Sequence, residues 1–487
     1  MKKNVLAFDF GASTGRAIVG KYDEGNLILE EIHRFPNEPL MEDGTLYWNL
    51  TYLFEQIKIA IRKATEMYHI DSLGIDTWGV DYGLLDADGE LIENPVHYRD
   101  SRTQGSVEEV AEIVSEQELY ELTGNQIMTI NTLFQLWVAK KKNPEKMKRA
   151  VTLLMTPDLM NYLLTGEKKT EMSIASTSQL LNPTTKEWNW ALIERLDLPK
   201  GIFTSIVPEG NFLQTIKSEL NLPPIPVFNV CSHDTASAVV SVPTQQKCLF
   251  VSCGTWSLVG TELDQPIIDN KTKLYNLTNE SGINRTTRLL KNITGLWIIQ
   301  EIKREFNSLG KDYSYSDLEK MAREASRFKC FIDTDDESFL QPGNMIQRVQ
   351  DFVEKTGQDV PITDGEIVRC VYESLAFKYK TTFLEIMDAV DYKFAQVNMV
   401  GGGVQSEILC EMVADSSGLN VFAGPIEATA IGNITVQLMK HGAINSLEEG
   451  RSWIKKLFEV KEYKPKDSVL CEQAFASYQK VIKHHLG

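Results

Sequence analysis

Apolar residues crowd positions 5–10 and return, with β-branched members, over 16–22; the five residues between them include Gly11 and Gly15. That pattern predicts strand, tight turn, strand. A third apolar segment, 27–32, follows the Asp23-Glu24-Gly25-Asn26 turn and extends the meander. Residues 53–68 carry apolar positions at helical spacing, and 72–83 read as one further strand closed by the Asp86-Ala87-Asp88-Gly89 turn. From about 115 to 200 the pattern is helical, punctuated by Thr165-Gly166 and Asn182-Pro183. Pro223-Pro224-Ile225-Pro226 leads into a short strand over 227–230, and "SHDTASAVVSV" (232–242) reads as a loop entering a helix.

The second half repeats the opening. "CLFVSCGTWSLVGTEL" (248–263) is again strand, glycine turn, strand, and placing Asp9-Phe10-Gly11 on Ser252-Cys253-Gly254 superposes the two turns. Two half-chains that open on the same hairpin predict a duplicated domain pair, 1–243 and 244–487. Near the end, 394–425 read as strand, glycine turn, helix, strand, with Gly418 at the helix C′ position, and "PIEATAIGN" (425–433) opens another helix.

The bulk numbers narrow the class. A chain of 487 residues exceeds one ordinary core. Its 43% apolar and 24% charged content fit a globular protein, and its net charge of −17 argues against nucleic acid and anionic membranes as partners. No apolar run is long enough to span a membrane, and the apolar stretch after Met1-Lys2-Lys3 soon meets Asp9, unlike a signal peptide. Seven cysteines without a CxxC pair suggest reduced thiols and a cytoplasmic setting. Cys231 and Cys253 read as small buried hydrophobes.

Residues 11–15 spell Gly-x-Ser-x-Gly, the spelling of a serine-hydrolase nucleophile elbow with Ser13 as nucleophile. An elbow needs a strand-to-helix turn; here a strand follows, which disfavours it. A phosphate-binding hairpin fits better. The small residues let backbone N–H groups approach an anion, Ser13 and Thr14 add hydroxyl donors, and Arg16 adds charge. Asp9, at the end of an apolar strand, needs compensation: a hydrated Mg²⁺ would supply it, or the carboxylate bonds its own turn. Thr255 offers a second phosphate contact from the second hairpin. Gly401-Gly402-Gly403 let a flat ring or sugar lie on backbone, but the run spells GxGxxS, with Ser406 in place of the last glycine of a dinucleotide fingerprint. Asp234 suits a general base for a substrate hydroxyl, the alternative being that Ser232 or Asp234 merely caps the helix. His233 either bonds a polyol hydroxyl or is structural.

Together these residues resemble the FGGY carbohydrate kinases of the sugar kinase, Hsp70 and actin superfamily, over nearly the whole chain. "HRFPN" (33–37), "GIDTWGVDYG" (74–83), "YRDSRT" (98–103), "SHDTASA" (232–238), "GTWSLVG" (254–260), "LKNITGLWIIQ" (290–300), "VGGGVQ" (400–405) and "AGPIEATAIGN" (423–433) fall in that family's order. The resemblance implies an α/β protein of two actin-like (ribonuclease H-like) domains, with mixed sheets flanked by helices and an active site in the interdomain cleft. It implies ATP-dependent phosphorylation of a small sugar with Mg²⁺. The segment "GIDTWGVD" differs from glycerol and xylulose kinases and points to L-rhamnulose, phosphorylated at its 1-hydroxyl. The family's phosphate loop falls on Ala12, Ser13, Thr14, Gly15 and Arg16, with further nucleotide contacts on Thr255, Gln300 and Gly402. The general base maps to Asp234, sugar contacts to Gly79, His233, Asp234, Thr235 and Asn292, and the metal-associated carboxylate to Asp9, acting through water. Ser406, Thr156 and Cys253 depart from the family's usual residues, and none of them removes a catalytic group. A kinase for another ketose or polyol such as L-fuculose, or an actin- or Hsp70-like ATPase, are the competing expectations. The expected state is a monomer or weak homo-oligomer.

Overall fold

The computed structural model describes residues 1–486, with side chains through Lys483. It divides into two compact units: Met1–Gln245, Glu262–Leu289 and Ala428–Leu457 form the first, and Gln246–Thr261, Leu290–Glu427 and Phe458–Gly487 the second. Two stretches from the later half of the chain therefore fold with the first unit.

In the first unit β1 (Lys2–Phe10), β2 (Thr14–Asp23) and β3 (Asn26–Pro36) form the expected meander. The sheet continues through β4 (Ser72–Thr77) to β5 (Phe212–Thr215) and β6 (Pro226–Phe228), in the order β5-β6-β4-β1-β2-β3. β1 runs parallel to β4 and β4 parallel to β6, while β5 is antiparallel to β6. Residues 5–8 of β1 are buried without alternation, the mark of a strand covered on both faces. Helix α1 (Leu50–Met67) starts where the Asn49 side chain accepts the Tyr52 N–H, and it buries Leu53, Ile57, Ala60, Ile61 and Ala64 along one stripe.

The expected single strand over 72–83 is instead broken. After Thr77 the chain leaves the sheet, and Tyr82–Leu85 pairs antiparallel with Thr152–Met155 in a separate ribbon. Asp81 is the physical reason. Its buried carboxylate collects the Trp48 and Trp78 indole N–H groups at 2.6 and 3.0 Å, the Tyr98 N–H at 3.2 Å and the Gln135 amide at 2.8 Å. No straight strand brings those donors together.

The second sheet repeats this plan and adds a seventh strand, Thr278–Ser281, at its edge beside Thr287–Thr294. β7 (Leu249–Cys253) is antiparallel to β8 (Trp256–Leu263) and parallel to β10 (Gln396–Val400). The sheet order runs from β9 (Thr287–Thr294) through β8, β7 and β10 to β11 (Asn420–Ala423) and β12 (Lys461–Tyr463). β11 is parallel to β10 and β12 antiparallel to β11, as β6 and β5 are in the first unit. Four helices matter below: α2 (Asp234–Val240), α3 (Trp297–Ser308), α4 (Asp364–Val390) and α5 (Glu407–Ser417), the last ended by Gly418 at φ 71°. The fold is thus α/β, with two mixed sheets flanked by helices. All seven cysteines are buried and none forms a disulfide, and no helix among the described residues is long and apolar enough to cross a membrane.

Helix α6 (Ala428–Lys440) returns to the first unit and packs with polar side chains that reach into it. Asn433 donates to Asp76 at 2.7 Å, Gln437 donates to Asn433 at 2.8 Å, and Ser72 donates to Gln437 at 2.7 Å. Gly432 makes this approach possible: a Cβ there would sit 1.8 Å from the Ser237 carbonyl oxygen of α2. A second buried tie holds the loop before α2. Glu171 accepts the Ser173 hydroxyl at 2.5 Å and the backbone N–H groups of Ile174 and Ser232, both at 3.1 Å, while Ser173 Oγ accepts the His233 N–H. Burial pushes Glu171 up to about 7, and burial with the Glu171 charge pushes Asp158 beside it well above the usual carboxylate range.

Backbone cannot yield as a side chain can, so Gly432→Ala should destabilise the first unit by about 1–3 kcal/mol or more, read as a lower first thermal transition. Glu171 has a folded pKa above its ordinary 4.5, so its contribution to stability is full below pH 4.5 and is lost as pH rises through about 7. Glu171→Gln should remove about 3 kcal/mol of that pH dependence, measured as the difference between urea melts at pH 5 and pH 8.

Candidate active site

The first hairpin turn closes on a Gly11 N–H bond to the Thr14 carbonyl at 2.9 Å. Asn37 clamps it from outside, donating its backbone N–H to the Ser13 carbonyl and its side-chain amide to the Gly11 carbonyl, both at 2.9 Å. Gly15 is required by contact: a Cβ there would lie 2.3 Å from the Phe35 ring. Ser13 and Thr14 stand exposed at the tip beside half-buried Ala12. Asp9 does not bond its own turn; its Oδ2 takes the Arg16 guanidinium at 2.5 Å.

β4 delivers the second set of groups. Asp76 is the register partner of Asp9, and Thr77 donates to the Ser232 carbonyl at 2.9 Å, which places 232–234 beside the end of the sheet. Asp76 is fully buried, with Oδ2 held by Asn433 and Oδ1 without a partner. Burial, and then the Asp9 charge, lift its pKa well above the usual range, Asp234 adding to the rise. Asp234 opens α2. Its Oδ1 accepts the Thr235 backbone N–H at 2.5 Å and the Thr235 hydroxyl at 3.2 Å, and His233 Nε2 lies 3.3 Å from the same oxygen. Oδ2 takes no such bond among the described residues, and the side chain is 31% exposed. Burial raises its pKa, with the His233 interaction opposing and Asp9 reinforcing. Neither Ser232 nor Asp234 caps α2: the N-cap residue is His233, which makes no side-chain cap bond, and Ser232 Oγ turns back to the Val230 carbonyl.

Gly79 and Val80 follow Thr77 directly. A Cβ at Gly79 would press on Thr177 at 3.0 Å, and Val80 stands at φ 67°, a strained setting for a β-branched residue. Three bonds hold it there: Val80 N–H to Thr177 Oγ1 at 3.0 Å, and Thr132 Oγ1 and Gln135 Nε2 to its carbonyl at 2.6 and 3.5 Å.

The remaining expected residues lie in the second unit. Its hairpin turn closes one residue tighter than the first, with Gly254 N–H to the Trp256 carbonyl at 2.9 Å. The Thr255 hydroxyl donates to Gln300 Oε1 at 3.1 Å, and the Thr255 carbonyl accepts from Gly295 and Trp297, so turn and α3 form one block. The triple glycine packs on the end of β7, where a Cβ at Gly403 would lie 2.3 Å from Cys253 Sγ; Gly402 faces open space. Asn292 sits on β9, half-buried. The structure therefore gathers Asp9, Ala12–Arg16, Gly79 and His233–Thr235 in the first unit, and Thr255, Gln300 and Gly402 in the second.

Sequence reasoning missed the supports: Glu171, Ser173, Asp76, Asn433, Glu280 and Arg288. Each acts over a long sequence separation or carries no local motif, except Asp76 and Asn433, whose places inside "GIDTWGVD" and "AGPIEATAIGN" were the available signal. Chemically, the first unit offers a carboxylate with one open oxygen beside a glycine turn. The residues also fit a Mg²⁺ brought in by phosphates. Asp9 is a single carboxylate at the turn, and no cluster of three His, Cys, Asp or Glu among the described residues forms a cage of its own, the donor set Mg²⁺ uses when phosphates and water fill its sphere.

Comparison with known proteins agrees with this architecture. Residues 4–241 match the N-terminal domain, and residues 249–441 the C-terminal domain, of the FGGY family of carbohydrate kinases. A rhamnulokinase of Oceanobacillus iheyensis is 40% identical over 467 residues, covering 95% of this chain and 98% of its own. One of Halalkalibacterium halodurans is 42% identical over 462 residues, covering 94% and 98%. The crystal structure of a gluconate kinase from Lactobacillus acidophilus shares the fold at a TM-score of 0.81 and 16% identity, covering 99% of this chain and 98% of that one. With both domain models matched and such relatives along its length, the chain belongs to the FGGY family of carbohydrate kinases.

Proposed function

We propose that this kinase transfers the γ-phosphoryl group of ATP to the 1-hydroxyl of L-rhamnulose, giving L-rhamnulose 1-phosphate and ADP. The substrate reading rests on the full-length relatives named rhamnulokinase. The catalytic reading rests on one observation: Asp234 has Oδ1 engaged by Thr235 and Oδ2 open. The nucleophile is the sugar hydroxyl, and Asp234 Oδ2 accepts its proton as the phosphoryl group transfers. Such transfer needs placement more than a large pKa shift, and Thr235 supplies the placement. Gly79, His233, Thr235 and Asn292 are assigned to the sugar. Backbone N–H groups of Ala12–Gly15, the Ser13 and Thr14 hydroxyls and Arg16 are assigned to the phosphates, with Thr255, Gln300 and Gly402 assigned to the nucleotide. Mg²⁺, reached from Asp9 through water, would neutralise phosphate charge.

Asp234→Asn should keep sugar binding, measured by calorimetry, and lose about 10²- to 10⁴-fold in kcat; near-normal turnover removes Asp234 as base. ADP release in a coupled assay should depend on added L-rhamnulose and exceed that with L-fuculose or L-xylulose. Release that ignores the sugar would instead fit an actin- or Hsp70-like ATPase.

A further inference from the structure

His233 is held from behind by a buried ion pair. Arg288 is fully buried, and its Nη2 donates both to Glu280 Oε2 at 3.0 Å and to His233 Nδ1 at 3.2 Å, while its Nε donates to the Ser281 carbonyl at 3.1 Å. Glu280 Oε2 lies 3.3 Å from the same ring nitrogen. Gly282 lies beside the arginine stem; a Cβ there would crowd the Thr286 hydroxyl at 2.6 Å and make only ordinary contact, 3.4 Å, with Arg288 Cγ. Against the burial that would raise it, the Arg288 charge and the His233 contact keep the Glu280 carboxyl below its ordinary range, so the pair is charged. Nδ1 thus faces a donor, the Arg288 guanidinium, and an acceptor, Glu280 Oε2; in the tautomer in which it accepts from the guanidinium, Nδ1 carries no hydrogen and Nε2 does.

We propose that Glu280 and Arg288 are positioning residues that fix the tautomer of His233, so that its Nε2–H and the Asp234 carboxylate stand as adjacent donor and acceptor for two neighbouring oxygens of a 2-ketose. This rests on the kinase reading above. Nε2 is 3.3 Å from Asp234 Oδ1, close enough for one substrate to meet both groups. In a sugar phosphorylated at C1, the hydroxyl on C1 gives its proton to Asp234 while the oxygen on C2 accepts from Nε2–H. Support for the fold alone is a poor account of the pair. Arg288 Nη1 is buried with no hydrogen-bond partner, and a buried ion pair of that kind is commonly matched or bettered by apolar residues.

The test combines spectroscopy and kinetics on the full chain. Long-range ¹H–¹⁵N correlation with ¹⁵N-histidine, assigned with His233→Gln, should show His233 protonated on Nε2 and bare on Nδ1; an Nδ1–H tautomer overturns the proposal. Arg288→Met should put a proton on Nδ1, facing Glu280, and lower kcat/KM for the ketose about 10- to 100-fold, with the KM for ATP unchanged. The double variant Glu280→Leu/Arg288→Met leaves neither a lone buried charge nor a hydrogen-bond partner at Nδ1 and should show the same loss with a melt like the parent's; parental kinetics in it overturn the proposal. A 2-deoxy analogue should be a poorer substrate than the ketose for the parent enzyme by at least about tenfold, and that gap should close in Arg288→Met. Equal use of analogue and ketose by the parent overturns the proposal too. Failure of the kinase reading looks different: no sugar phosphate forms with the parent enzyme, or Asp234→Asn stays active. The tautomer measurement on the parent protein decides the proposal even where a variant does not fold.

Discussion

Arg16 and Asp9 meet at 2.5 Å where the first hairpin leaves the sheet, and the charge balance of the first unit turns on that contact. Three carboxylates, Asp9, Asp76 and Asp234, act on one another there, and like charges in a low dielectric cannot all persist. With one guanidinium among them, the carboxyl pushed up furthest is the one most removed from water. That is Asp76, fully buried beside the neutral amide of Asn433. Asp234, with an open oxygen, is raised as well. The sheet register makes this coupling unavoidable, because Asp9 and Asp76 are direct neighbours on parallel strands. Asp9 at the end of β1 and Asp234 at the head of α2 therefore belong to one electrostatic system.

The duplication sharpens the point by contrast. Both units build a glycine hairpin whose Gly N–H closes the turn at 2.9 Å, to the carbonyl three residues on in the first and two residues on in the second, and both set a parallel strand beside it. In the second unit, however, the position matching Asp9 is Ser252, register partner of Val400 rather than of an acid. No carboxylate cluster arises there among the described residues. The second turn is bonded instead to Gln300 and to the start of α3, with the triple glycine resting on Cys253. One scaffold thus carries clustered carboxylates in one copy and neutral hydrogen-bonding surface in the other, and the difference traces to a few side chains at strand ends.

What could be read from the chain alone follows the range of the forces involved. Both hairpins, the Gly418 helix end and the start of α2 at Asp234 were legible, because turn geometry and capping are decided within a few residues. The family motifs proposed site residues by number. Asp9 was legible only as a charge needing compensation; which group supplied it depended on Arg16 facing it across the β1–β2 ladder. Glu171, Glu280, Arg288, Asn433 and Gln437 were not legible as parts of the site. Their partners lie up to several hundred positions away, as with Asn433 and Asp76, and a lone polar residue in a strand or helix gives no local sign of burial. The return of 428–457 to the first unit escaped for the same reason.

The broken strand at 78–81 shows how such long-range demands shape a short motif. Apolar patterning favours continuing β4 through Val80, and a β-branched residue at φ 67° costs on the order of 1–3 kcal/mol. Asp81 outweighs it. As an extended strand residue it would bury a carboxylate with few donors, whereas the kink gives it four, two of them indoles whose ring centroids lie 3.9 Å apart. Even so, burial leaves its pKa raised to about 6, so the carboxylate is held rather than comfortable. The strain is therefore fixed by a satisfied network on one side and by Thr132 and Thr177 on the other. Gly79 is placed between Thr77, which bonds the Ser232 carbonyl, and the kink that Asp81 enforces. The two acids of the "GIDTWGVD" segment thus divide the labour: Asp76 shares the charge balance with Asp9 and Asp234, and Asp81 sets the backbone path past Gly79.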